Sequence, residues 1–115
     1  MKLSEKQMQF SIMVSKLLIF ATEQNLGITL GHAWRDVDTQ KRLFDQGLSK
    51  TMNSKHLDKL AIDLNVFKNK RGHLVWTTNV EDYRVLGDYW ENHLGGRWGG
   101  NFHNFADAGH FEYRG

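Results

Sequence analysis

Apolar residues recur at three- and four-residue spacing near the N-terminus, at Phe10, Met13, Val14, Leu17 and Ala21. That spacing predicts an amphipathic helix over about residues 4–24, capped by Ser4 and ended by Gly27. Residues 28–32 then predict a short strand, and Asp36 or Asp38 is placed to cap a second helix that runs to Gln46 and stops at Gly47. After a polar loop over residues 48–53, the period changes to two. Leu60, Ile62 and Leu64 fall on one face and Ala61 and Asp63 on the other, the pattern of a strand with one face in a core. This strand is expected to reach about Phe67 and to return through residues 68–72 into a hairpin partner at 73–76. Thr77, Thr78 or Asn79 caps a third helix with Tyr83, Leu86, Trp90 and Leu94 on one side. The glycine-rich, aromatic stretch 95–109 predicts an ordered loop lying over a cleft, and a last strand starts at His110. These elements predict an α+β fold, a small and mainly antiparallel sheet with helices on one face, in a single domain spanning residues 1–115.

At 115 residues the chain is long enough for one core and too short for two. The net charge of +2 and pI near 9.0 favour anionic surroundings only slightly, because no lysine or arginine run concentrates the charge. Nucleic acid is therefore not an expected partner. With no cysteine, any metal site must be built from His, Asp and Glu. Lys16 interrupts the apolar stretch of the first helix and residues 22–25 give no small-residue cleavage pattern, so no export signal is expected. Nothing approaches the length of a membrane span. The expectation is a monomer made in the cytoplasm, without stable membrane insertion.

The chemistry concentrates in two stretches. His56 and Asp63 stand seven residues apart, more than ~20 Å if extended, so they share one ion only if the chain doubles back at residues 57–59. Ala61, beside Asp63 on the same face, leaves room for a metal or substrate. Near the C-terminus, Asp107-Ala108-Gly109-His110 offers a second histidine at the start of an alternating strand. His56, Asp63 and His110 together supply two imidazoles and a carboxylate, a set that suits a catalytic Zn2+ with its fourth position open to water. Asp107 is the candidate general base, and Glu112, one strand period from His110, is a partner for the ligand or a rival base. Arg35 offers a positive fork for a substrate carboxylate or an oxyanion. Ser54 is placed to orient the ligand loop or bond substrate, and Trp98 either walls the cleft or packs. His32, His73, His93 and His103 are read as structural or solvent-facing.

The pattern Ser54-x-His56, Ala61-x-Asp63 and Asp107-x-x-His110 resembles the zinc peptidases of the D-alanyl-D-alanine carboxypeptidase (VanY-like) and L-alanyl-D-glutamate peptidase group, which includes short phage endolysins. The likeness extends from about Gly27 to the end. It takes in Trp34-Arg35 with the following Gln40, and the Gly95-Gly96-Arg97-Trp98-Gly99-Gly100 segment before the last strand. It implies that Asp107 holds the position of the family's general acid/base and that Gln40 binds substrate or supports the ligand residues. It further implies a peptidoglycan stem peptide as substrate, met at the cell wall after release from the cell. Lys59 stands where the family usually has glycine; a turn of positive φ there would strain a lysine.

Other readings compete. Two histidines and a carboxylate also hold non-haem iron in oxygenases, but those sites set the first histidine and the acid two residues apart. A zinc-stabilised cell-wall binding domain without catalysis would use the same ligands, and the Asp107 side chain discriminates the two. A D-alanyl-D-alanine carboxypeptidase is the nearest enzymatic alternative. His103 with His110 gives only a faint nuclease-like pattern.

Overall fold

The computed structural model describes residues 1–49, 51–52 and 54–115. Lys50 and Asn53, both in the expected polar loop, lie outside the described residues. The elements run α1 (Leu3–Glu23), β1 (Gly27–Leu30), α2 (Val37–Asp45), β2 (Ala61–Lys70), β3 (His73–Thr77), α3 (Val80–Asn92), β4 (Arg97–Trp98) and β5 (His110–Glu112). One-turn 3-10 segments occupy Lys55–Asp58 and Gly99–Asn101. All strand pairings among the described residues are antiparallel, so the fold is the α+β arrangement that the sequence predicts.

β2 organises the sheet. One edge pairs with β1, with Leu30 opposite Leu64 and Gly27 opposite Phe67. The other edge changes partner partway along. It pairs with β5 over Ala61–Asp63 and with β3 over Val66–Lys70. Between these partners the Tyr83 hydroxyl of α3 enters the ladder, accepting from the Val66 N–H (3.0 Å) and donating to the Thr77 carbonyl (2.6 Å).

The period-two pattern of β2 sorts its faces as predicted. Leu60, Ile62, Leu64 and Val66 are buried against Phe10, Leu17 and Ala21 of α1 and against Tyr83, Leu86 and Trp90 of α3. Burial of such side chains stabilises by ~1.5–3 kcal/mol each, which pins the register: a slip of one residue would turn the whole set outward. Phe111 and Tyr113 of the β5 segment join the same core. Ala61, Asp63 and Asn65 are thereby left on the opposite face, along with His110 and Glu112.

Several boundaries differ from expectation. α1 starts before Ser4: Lys2 is the cap residue, and its N–H is accepted by Glu5 Oε1 at 3.4 Å. The helix ends at Glu23 rather than at Gly27. Asn25 takes the left-handed conformation (φ 59°), and the Asn25 and Leu26 N–H groups return to Thr22 and Ala21, a Schellman arrangement that asparagine tolerates. The hairpin is longer than predicted, because Arg71 and Gly72, both at positive φ, make a two-residue turn that lets pairing continue to Lys70 and His73. β4 was not foreseen in the glycine-rich stretch. α2, capped by Asp36 through Thr39, adds no apolar side chain to the core; its one buried residue, Gln40, turns towards the site side of the sheet. Helices on one face therefore describes α1 and α3 only.

Gly87 of α3 lies under the fully buried Trp98 indole, and a Cβ there would come within 2.1 Å of the ring. Alanine favours helix by ~1 kcal/mol over glycine, yet the rigid ring leaves it no space. Gly87→Ala is expected to destabilise the protein by roughly 2–3 kcal/mol net, measured by urea unfolding. A gain in stability would show that α3 and β4 can separate freely.

Candidate metal centre

The reversal between His56 and Asp63 is a 3-10 turn over Lys55–Asp58, with Lys59 in the left-handed conformation at φ 59°. Ser54 caps the turn, its Oγ accepting from the His56 N–H at 3.2 Å. The His56 carbonyl receives the N–H groups of Lys59 and Arg35, which ties the turn to the segment after β1. Asp63 is held on its own strand from the β1 side: Gly31 N–H donates to its carbonyl (2.8 Å) and its N–H donates to the His32 carbonyl (2.9 Å). On the β5 side, His110 lies opposite Asp63 in register.

These placements bring three side chains together. His56 Nε2 lies 3.1 Å from Asp63 Oδ1, His110 Nδ1 lies 3.5 Å from the same oxygen, and all three donor atoms fall within 4.8 Å of one another. Ligand bonds of ~2.0–2.2 Å at a tetrahedral ion separate neighbouring donors by ~3.3–3.5 Å. The separations of 3.1 and 3.5 Å bracket that range closely enough for the set to fit zinc. The charge argument agrees, since lone pairs this close require a positive charge among them. Burial opposes charge on His110, but bonds to Asp63 and Glu112 push its pKa up to about 9. The carboxylates that favour a proton on His110 would favour a metal cation beside it equally well.

The surroundings hold the donors in place. Glu112 Oε1 lies 2.8 Å from His110 Nε2, the carboxylate–imidazole arrangement that orients metal-ligating histidines. The His56 ring is fixed by burial, and its Nδ1 has no hydrogen-bond partner among the described residues. Asp63 Oδ2 accepts from Arg35 Nη2 at 2.9 Å. The remaining Arg35 nitrogens donate to Gln40 Oε1 (3.2 Å) and His32 Nδ1 (2.8 Å). Gln40 in turn donates to Ser49 Oγ and the Thr51 carbonyl. The free fork expected of Arg35 is thus engaged within the protein, and its visible action is to hold Asp63.

The two aspartates of the site are pushed in opposite directions. Burial would raise the Asp63 carboxyl, but hydrogen bonds from His110 and His56, with their charge, hold it well below the usual range. Burial pushes the Asp107 carboxyl up, opposed by the charge of His110 and reinforced by that of Asp63. Asp107 borders an open cleft of about 530 Å³ together with His56, His110 and Glu112. Its backbone is clamped, since its N–H donates to the Gly99 carbonyl (2.9 Å) and its carbonyl accepts from His110 (3.2 Å).

Trp98 does not wall the cleft. Its indole is fully buried and donates to the Ala108 carbonyl at 2.7 Å, so it packs beneath the Asp107 loop and braces it from inside. Phe102, His103 and Phe105 are among the residues that line the cleft, the Phe102 ring centre 5.7 Å from that of His110. The loop prediction pointed to this stretch without singling out the two phenylalanines, and His103, read as structural or solvent-facing, lines the cleft. His32 was read as structural or solvent-facing; exposed as it is, it accepts from Arg35, and its position three residues before that arginine was the one available signal.

The chain belongs to the peptidase family whose model is described as D-alanyl-D-alanine carboxypeptidase, which matches residues 48–113, more than half of the sequence. The match takes in His56, Asp63, Asp107 and His110 and leaves Arg35 and Gln40 outside. Among solved structures, the chain is similar in fold to the Serratia marcescens L-Ala D-Glu endopeptidase ChiX, with a TM-score of 0.60 and 22% identity over 77% of this chain and 68% of that one. No curated protein sequence matches.

The left-handed Lys59 is the strained point of the ligand turn, and its Nζ lies 5.9 Å from the centre of the Trp34 ring. Lys59→Gly is expected to raise stability by up to about 1 kcal/mol, read from the urea midpoint, whereas Lys59→Val should lower it. A fall with glycine would mean that the lysine–tryptophan contact outweighs the backbone strain.

Proposed function

We propose that this chain is a zinc-dependent peptidase acting on the peptidoglycan stem, with the L-alanyl-D-glutamate bond as its target and a phage-endolysin type of role in lysis. The observation that carries the reading is the convergence of His56, Asp63 and His110 beside Asp107 in an open cleft, in a chain of a peptidase family. The fold likeness to an L-Ala D-Glu endopeptidase supports the choice of bond. The family's description favours a second reading, removal of a terminal D-alanine from D-alanyl-D-alanine.

His56, Asp63 and His110 would hold the zinc, which when bound lowers the pKa of water and polarises the scissile carbonyl. Asp107, raised by burial and open to the cleft, takes the proton of the attacking water and returns it to the departing amine. Glu112 fixes the His110 ring, Arg35 fixes the second oxygen of Asp63, and Gln40 fixes Arg35. Arg35 is thus a positioning residue in this reading. Ser54 holds the turn that presents His56, and Trp98 braces the loop of Asp107. We read residues 1–115 as one catalytic domain working as a monomer on the wall after release. No helix among the described residues is long and apolar enough to cross a membrane.

Purified peptidoglycan incubated with the zinc-loaded protein is expected to release stem fragments whose new termini, identified by mass spectrometry, name the bond. Asp107→Ala should lower the rate by roughly 10²–10⁴-fold while zinc is retained. Chelation or His110→Ala should remove both zinc and activity. Full zinc binding without cleavage of any stem substrate would sink the peptidase reading in favour of a metal-stabilised wall-binding domain.

The support given by Glu112 has its own readout. Glu112→Ala is expected to weaken zinc binding by roughly 10–100-fold in a competition titration with a chromophoric chelator. Unchanged affinity would show that burial alone orients His110.

A further inference from the structure

The hairpin of β2 and β3 carries cations without acids. Between Asp63 and Glu81 the chain has no Asp or Glu, while Lys68, Lys70 and Arg71 all fall in that interval. The stretch is too short to stand out as a run, but the fold sets it at a free end: Lys70 and His73 close the register, and Arg71 and Gly72 make the turn. The acids that follow at the start of α3 are already held. Asp82 lies 3.2 Å from Lys68 Nζ and accepts from the Thr77 hydroxyl, and Glu81 pairs with Arg84 at 2.9 Å. Among the described residues Lys70 and Arg71 stand in no ion pair, and the Lys70 charge reaches Asp82 across a longer distance.

Beside these cations the hairpin exposes apolar side chains on both faces. Leu74, at 72%, is the most exposed large apolar residue among those described, and Trp76 stands at 56%. By alternation Leu74 and Trp76 share a face with Phe67 and Asn69, while Val75, also exposed, shares the other with Lys68 and Lys70. Among the described residues β3 pairs with β2 alone, so its outer edge is open. An apolar strand on an open edge is a liability in water unless something covers it. The two kinds of exposed group select the cover. A soluble anionic polymer would meet the cations and gain little from Leu74. A bilayer surface surrounds the tip, with anionic head groups for Lys70 and Arg71 and an acyl boundary for Leu74 and Trp76. The open backbone groups of β3 limit the depth, because the head-group layer supplies water and the hydrocarbon does not. Five residues are in any case too few for a strand that crosses, which needs ~9–11.

We infer that the β2–β3 hairpin is a peripheral docking site for an anionic lipid bilayer, with Lys70 and Arg71 against the head groups and Leu74 and Trp76 at the acyl boundary. The contact is shallow and reversible, and it goes beyond the peptidase reading without depending on it. Its place in the fold gives it a consequence for the candidate centre. Trp76 also borders a cavity of about 280 Å³ together with Asp63 and Asp107, where the edge of β2 passes from β5 to β3. A docked hairpin therefore holds the centre close to the membrane surface.

Flotation of the whole chain with lipid vesicles tests this, comparing phosphatidylcholine alone with a mixture containing roughly one third phosphatidylglycerol. The protein is expected to float with the anionic vesicles and to stay behind with the neutral ones. Lys70→Gln combined with Arg71→Gln should weaken partition by roughly 30-fold, and Leu74→Ser by roughly tenfold. Soluble polyphosphate separates charge from lipid: Leu74→Ser should leave its binding unchanged. In a Trp34→Phe background Trp76 is the exposed indole, Trp90 and Trp98 being fully buried. Its emission should shift to the blue on anionic vesicles and be quenched by lipids brominated in the acyl chain. Unchanged urea midpoints will show that the substituted proteins are folded. Equal flotation with neutral and anionic vesicles, or none with either, overturns the assignment. So does vesicle binding that survives loss of the two cations. Vesicle binding unaffected by Leu74→Ser and without quenching of Trp76 overturns it in favour of an anionic polymer.

Discussion

The Asp63 carboxylate is the group on which the site depends, because its two oxygens face different partners. Oδ1 meets both imidazoles and Oδ2 meets the Arg35 guanidinium. A partly buried carboxylate is costly to hold ionised unless its oxygens are paired, and here each has a cationic or cation-capable neighbour. The backbone makes this possible. Asp63 lies on a strand bonded from both sides, and Gly31 approaches so closely that a Cβ there would come within 3.1 Å of the Asp63 Cβ. The lack of a side chain at Gly31 lets the β1 segment reach β2 and bring Arg35 within range.

A second carboxylate nearby is under the opposite pressure. Asp63 is held ionised by its partners, while Asp107 is raised by burial with no comparable pairing. Environments that push two acids apart separate their chemical tasks, one as a fixed anion and the other as a group able to take and give a proton. The division rests on backbone placement. Asp107 is hung from Gly99 and braced through Ala108 by the buried Trp98 indole, so its carboxyl is presented at the cleft by a core residue that never touches it.

How much of this the sequence revealed follows from the range of the interactions. The faces of β2 were legible because alternation from Leu60 to Leu64 is local, and the pairing of His56 with Asp63 was legible because a reversal had to fall between them. Lys59 at a position wanting positive φ was likewise visible. What stayed hidden was set by tertiary contact. β4 is too short to leave a period, α2 carries a stripe too polar to show that it would leave the core, and Arg35 gives no sign in sequence that Asp63, 28 residues on, would occupy its fork. Trp98 was ambiguous because an indole in a glycine-rich stretch suits a cleft wall and a core equally. Gly87 and Gly100, which leave room for the ring, decided for the core.

The partner change along β2 ties fold to function more closely than any single residue. A strand that kept one neighbour throughout would seal its edge with backbone hydrogen bonds and leave no opening beside Asp63. Because β5 stops at the register of Asp63 and β3 begins at Val66, the edge between them is left to a tyrosine hydroxyl and a cavity. The strand that carries Asp63 therefore sits between two open spaces, one lined by the loop before β5 and the other at the gap itself. A centre placed so can take an extended chain running through it, which a hydrolase acting within a peptide requires.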